Sequence, residues 1–262
     1  MNDDGAIRRH ALAPPSLSLT TVGWLVAACA WAVIGISWAV DGAAVISHDR
    51  VLDGDGTVGP LDIVAFVAAW QLMTAAMMLP TSLPMIRLFA RASRGQERPR
   101  LAIGLFLGAY FVVWTGFAVA ALAGDAILHE IVERIPWLSA RPSIIGGAIL
   151  IGAGAFQFTG LKERCLDECR NALHFMWRYY SRGLGAAWSL GVRHSLFCLG
   201  CCWALMLLMF AVGVGNLAWM IILTGVMLVE KTSTSGRRLV PIVGFVLVAL
   251  GLQAVGEALL VP

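Results

Sequence analysis

Long apolar blocks run along this chain, separated by short polar stretches. Seven stand out, at roughly 20–40, 62–86, 101–123, 143–161, 187–212, 215–230 and 239–260. A helix needs about 20 mainly apolar residues to cross the hydrocarbon core of a bilayer. The blocks lack the apolar–polar alternation of membrane β-strands. The pattern therefore predicts an all-α fold, a polytopic transmembrane helix bundle of about seven spans. Gly213, Gly215 and Asn216 supply the turn between the fifth and sixth spans. No internal repeat or composition break divides the chain, so residues 1–262 are expected to form one integral membrane domain. Within it, 162–184 mixes Leu166, Phe175, Met176, Trp177 and Tyr179 with five basic residues, as an interfacial amphipathic segment does.

Composition strengthens the membrane assignment. The chain is 59% hydrophobic and only 13% charged, against about 25% charged in soluble domains. A net charge of +3 gives no reason to expect a nucleic-acid partner. Charge distribution adds an orientation. Arg8 and Arg9, Arg87 to Arg100, Lys162 to Arg182, and Lys231 to Arg238 all fall in alternate loops, on one side. The opposite loops are acidic or nearly uncharged, and basic loops stay in the cytoplasm. The N-terminus is therefore expected inside and the C-terminus outside. "DGDGTVGP" evokes a calcium loop, but Val58 stands where a calcium loop counted from Asp53 needs glycine. An ordinary turn-rich loop explains it.

The chemistry lies in the sulfurs. Cys198, Cys201 and Cys202 occupy i, i+3 and i+4, one helix face. His194 and Met209 extend that stripe, within an arc of about 100°. In "WQLMTAAMMLPTSLPM", Met73 and Met77 share a face, Met78 follows, and Pro80 and Pro84 predict a kink beside them. Cys165 and Cys169 form a third i, i+4 pair near the inner surface. An antiparallel hairpin turning near 214 puts Cys198 and Glu230 at one depth, about 24 Å from the turn. Three segments thus carry soft ligands to one level. Thiolates and thioethers favour Cu(I), and Zn(II) also suits a Cys-rich, His-containing shell. Arg193, Lys162 or Arg164 would favour the thiolate forms. Glu230 would accept a released proton or pair with Arg193.

Plainer roles stand beside these. Met206, Met209, Met220 and Met227 suit packing, as does the isolated Cys29. His48 and His129 fall on the outer side, where water reaches them. Glu230–Lys231 also marks a helix end.

The segments "WQLMTAAMMLP", "GLKERCLDECR", "GVRHSLFCLGCCWALM" and "NLAWM…EK" occur in order between about 65 and 232. Together they resemble an uncharacterised bacterial family of predicted metal-binding integral membrane proteins. The resemblance implies a multi-pass protein of the bacterial inner (cytoplasmic) membrane. By motif it implies metal-site roles for Met73, Met77, Met78, Cys165, Cys169, His194, Cys198, Cys201 and Cys202, with Glu230 beside them. Members often carry proline three residues after the second cysteine of the first pair, where this chain has Ala172.

The expected function is binding of a soft metal, Cu(I) foremost, for handling or transfer by ligand exchange rather than covalent catalysis. Expected partners are the lipid bilayer, a metal donor or acceptor protein and other membrane subunits. Two alternatives stay open: a quinone-linked thiol–disulfide oxidoreductase using Cys198-x-x-Cys201, and a non-catalytic membrane scaffold.

Overall fold

The structure, a computed structural model, describes residues 19–41, 59–213 and 216–260. Arg8, Arg9, His48, the loop around Asp53 and Gly215 lie outside the described residues. The described chain is helical and, among those residues, has no strand. Its helices are α1 (Leu19–Asp41), α2 (Pro60–Met77), α3 (Leu79–Ala92), α4 (Pro99–Glu133) and α5 (Pro136–Ser139). They continue with α6 (Pro142–Phe156), α7 (Gly160–Arg170), α8 (Ala172–Tyr179), α9 (Leu184–Val212), α10 (Leu217–Thr232) and α11 (Gly236–Leu260).

Five of these, α1, α2, α4, α9 and α11, are long and apolar enough to cross a membrane. A sixth arises if α6 and α7, bent by 65° at their junction, count as one. The seven apolar blocks therefore do not map one to one onto helices. The block 62–86 is broken at Met78 into α2 and α3. The block 215–230 forms α10, whose 16 residues reach about 24 Å, short of a hydrocarbon core of about 30 Å. The block 101–123 lies inside a 35-residue helix, about 52 Å long. The segment 162–184 is two helices, because Asn171 leaves helical geometry at φ −102°, ψ 61°. α8 then begins at Ala172, so the turn forms without proline.

The centre of the bundle is α9. Half of its most apolar stretch is buried (50%), against 17% for α1 and α11. α4, α6 and α7 all pack on it. Trp203 faces α6, its ring 5.0 Å from that of Phe156. The opposite face carries the cysteines into the core. α6 and α11 form the closest seam. A Cβ on Gly154 would sit 2.8 Å from the Gly244 carbonyl oxygen, and one on Gly251 2.6 Å from that of Gly147. Small residues let helix backbones approach closely.

The break at Met78 has a chemical cause. Pro80 has no N–H to give the Ala76 carbonyl. The indole Nε1 of Trp31 on α1 donates to that oxygen instead, at 3.1 Å. Thr81 Oγ1 donates to the Met78 carbonyl at 2.8 Å. The indole thus satisfies the freed Ala76 carbonyl, which is how apolar bundles tolerate proline, while the Met78 carbonyl also keeps its bond from the Ser82 N–H.

Gly154→Leu is expected to force α6 off α11 and cost about 1–3 kcal/mol. Thermal unfolding of the purified protein checks this. Gly152→Leu, on the same helix but facing open space, should leave the transition nearly unmoved.

Candidate metal centre

Four of the cysteines and one methionine meet where α9, α7 and the α2–α3 break converge. Along α9, Cys198, Cys201 and Cys202 are each 1% exposed. Cys201 and Cys202 donate to the Cys198 carbonyl, at 3.1 and 2.8 Å, which fixes their rotamers. Cys202 Sγ lies 3.7 Å from Met78 Sδ, and Cys201 Sγ lies 3.8 Å from Cys169 Sγ on α7. Cys198 neighbours both Cys202 and Cys169, and Cys201 neighbours Cys202 as well. Cys165, one turn before Cys169, packs on Gly200; a Cβ there would meet its Sγ at 2.6 Å. Burial pushes the Cys165 thiol above its ordinary pKa, and negative charge at Cys201 and Glu168 acts in the same direction.

Polar groups complete the layer. Lys231 Nζ donates to Cys198 Sγ at 3.2 Å, to Cys202 Sγ at 3.8 Å and to Thr81 Oγ1 at 3.3 Å. The Tyr110 hydroxyl is 3.3 Å from Cys198 Sγ. Ser82 donates to the Tyr110 oxygen at 3.2 Å, leaving the phenolic proton for the sulfur. Below this layer, Lys162 and Glu230 form a buried ion pair at 2.6 Å. Arg170 donates to the carbonyls of Glu230 and Ser233. These bonds clamp α7, with its two cysteines, against the end of α10.

Sequence expectations fare unevenly here. The depth argument holds: the residue after Glu230 touches Cys198. Met78, rather than Met77 or Met73, brings its thioether to the thiols. Met73 and Met77 are fully buried in the same core cluster. His194 is buried, but its ring stacks on Phe106 and Tyr110, with Phe175 edge-on, and its Nε2 has no hydrogen-bond partner. It approaches the sulfurs through Tyr110. Arg193 is exposed and lies over the Tyr179 ring, so Glu230 pairs with Lys162 instead. Cys29 is exposed on α1 rather than packed inside.

Lys231, Tyr110 and Thr81 went unrecognised. The signal for Lys231 was present: a cation next to Glu230 at the end of an apolar block. Ionisable residues at membrane depth are functional candidates by default. Tyr110 and Thr81 carried no sequence signal, because an isolated hydroxyl in an apolar helix has no distinguishing pattern.

The donor set fits a soft metal ion. Separations of 3.7–3.8 Å equal the edge of a tetrahedron with metal–sulfur bonds of about 2.3 Å. Among the described residues, no three His, Cys, Asp or Glu side chains are placed to hold a metal by themselves. The Met78 thioether adds a further sulfur beside Cys202.

Four thiols and a thioether gathered in an apolar interior make a donor set of soft character. Residues 67–254, more than half of the chain, match the family described as "PpoB2: Copper chaperone", and the chain belongs to that family. The family's name points to copper handling. No curated protein and no solved structure matches the chain.

Lys162→Met leaves the Glu230 carboxylate buried without its cation. The expected cost is about 3–5 kcal/mol, measured by denaturant or thermal unfolding. Lys162→Met combined with Glu230→Leu removes both charges and should recover most of that loss.

Proposed function

We propose that the protein is a multi-pass copper chaperone of the bacterial cytoplasmic membrane. It holds Cu(I) at Cys198, Cys202 and Met78 and exchanges it through Cys201 and Cys169 with a partner on the inner side. The observation that carries this is the convergence of three distant segments on paired sulfurs, Cys202 with Met78 and Cys201 with Cys169. Such donors select a soft monovalent ion. Burial is graded across the pairs: Cys202 and Met78 are buried, while Cys169 is half-buried. A metal held at the first pair therefore has a route toward the surface at the second. Each thiol loses its proton as it binds, so loading releases protons.

Membrane integration is supported by the outward faces of the bundle. Val33, Ile36, Val112, Ile221, Phe245 and Val246 are among the large apolar side chains that stay exposed. Surfaces of that kind mark membrane or partner contact. The charge pattern supports a cytoplasmic position for α7 and α8. Exposed Leu173 and Trp177 on α8 suit an interfacial helix.

The redox alternative moves from the predicted pair. Cys198 turns toward Tyr110 and Lys231, while Cys201 faces Cys169. A disulfide between α7 and α9 would use Cys169, which lies 3.8 Å from Cys201.

Protein purified from copper-supplemented cells should carry copper by mass spectrometry. Cys198→Ser with Cys202→Ser should remove most of it. Equal metal in both preparations would rule out the proposed centre. In intact spheroplasts and inverted vesicles, a membrane-impermeant maleimide should label Cys169 from the cytoplasmic side only. Copper should slow that labelling. Labelling from the outer face would reverse the orientation and strengthen the redox alternative.

A further inference from the structure

Two lysines are buried in this bundle, and they are not equivalent. Lys162 has its carboxylate, Glu230, at 2.6 Å. Lys231, 6% exposed, has no carboxylate partner among the described residues; its donors go to Cys198 Sγ, Cys202 Sγ and Thr81 Oγ1. An uncompensated charge in an apolar interior is costly. The negative charge that balances Lys231 therefore has to come from the sulfur ligands themselves.

That fixes the charge the centre tolerates once a metal is bound. With Cys201 and Cys169 as neutral thiols, a monovalent ion on two thiolates and a neutral thioether leaves one negative charge, and the ammonium cancels it. A divalent ion on the same ligands is already neutral, so the ammonium stands as excess buried charge. The two metals differ by one unit within a core cluster that also holds the fully buried Met73, Trp114, Met206 and Met227. In such a setting one charge outweighs small differences in bond preference.

We infer that Lys231 is a specificity-determining residue, a built-in counter-ion that selects monovalent soft cations over divalent ones at Cys198, Cys202 and Met78. This rests on the copper-binding function proposed above and adds how the site rejects zinc. Thr81 and the chain break at Met78 are part of the device. Thr81 Oγ1 accepts from Lys231 while donating to the Met78 carbonyl, so one hydroxyl ties the cation to the thioether's own backbone. Lys231 acts through the charge of the ligands and touches the metal nowhere.

The test uses the full-length, reduced, metal-free protein in detergent. Affinities for Cu(I) and for the redox-inert Ag(I) are measured by competition with chromophoric chelators, and likewise for Zn(II) and Cd(II). Wild type, Lys231→Met, Lys231→Gln and Lys231→Arg are compared. The neutral variants are expected to lose at least tenfold in Ag(I) and Cu(I) affinity and to gain in Zn(II) and Cd(II) affinity. The monovalent-to-divalent ratio should fall by about a hundredfold or more. Lys231→Arg should keep the wild-type ratio, because it keeps the charge. Lys231→Gln retains a polar group for Thr81, so it carries the measurement if Lys231→Met does not fold. A purely structural lysine would weaken all four metals together, and an unchanged ratio in the neutral variants overturns the inference. If the wild type itself binds neither Cu(I) nor Ag(I), the proposed copper function fails and this inference falls with it. Wild-type copper binding with an unmoved ratio removes only the role of Lys231.

Discussion

The missing N–H of Pro80 is the constraint on which the arrangement turns. A helix in an apolar interior cannot leave a carbonyl bare, since each unpaired backbone group there costs several kcal/mol. The Ala76 oxygen, which Pro80 leaves without its helical donor, is met by Trp31 from α1; the Met78 oxygen accepts from the Ser82 N–H and from Thr81 Oγ1 as well. α2 ends at Met77 and α3 begins at Leu79 across this junction. Met78 there keeps right-handed helical geometry, with its N–H on the Thr74 carbonyl. Its sulfur lies beside Cys202, and Thr81, three residues on, reaches Lys231. The junction thereby supplies a soft donor and an anchor for a buried cation.

Charge organises the other side of the site. α7 is a polar helix drawn onto an apolar one, and the Lys162–Glu230 pair together with Arg170 holds it there. Desolvating that pair is expensive, and an apolar replacement would be as stable or better. What the pair adds is position. It sets α7 at a fixed level against α10, and Gly200 lets it close until Cys165 touches the α9 backbone. Only at that distance can Cys169 reach Cys201. The ion pair and the glycine thus act together: one pulls the helix in and the other removes the obstacle.

The helical class and the sulfur convergence were legible in the sequence because both follow from period and depth. An i, i+3, i+4 set of cysteines has to share a face, and an antiparallel hairpin has to bring Cys198 level with Glu230. Rotation and partner choice were not legible. Whether Met77 or Met78 meets the thiols depends on how α2 is rotated about its axis in the bundle, which periodicity alone does not give. Whether Glu230 pairs with Arg193 or Lys162 depends on α7 folding back over α9, a bend of 65° that no local residue signals clearly. The seven apolar blocks do not match the described helices one to one for a related reason. Apolar length sets a helix's limits only when the helix is continuous, and here one block is broken while another belongs to a much longer helix.

Transfer of a metal requires that no resting place be too deep. A closed set of three or four thiolates would hold Cu(I) tightly and release it slowly. The central set here has only two thiols, Cys198 and Cys202, with the neutral thioether of Met78 beside them. In the proposed relay, copper passing to Cys201 and Cys169 keeps two thiolates and gives up the thioether. It also moves away from the Lys231 ammonium, which lies against Cys198 and Cys202. Neither position is the closed set that would trap the ion. Two resting places with equal numbers of thiolates let an ion pass in either direction according to which partner waits at the surface.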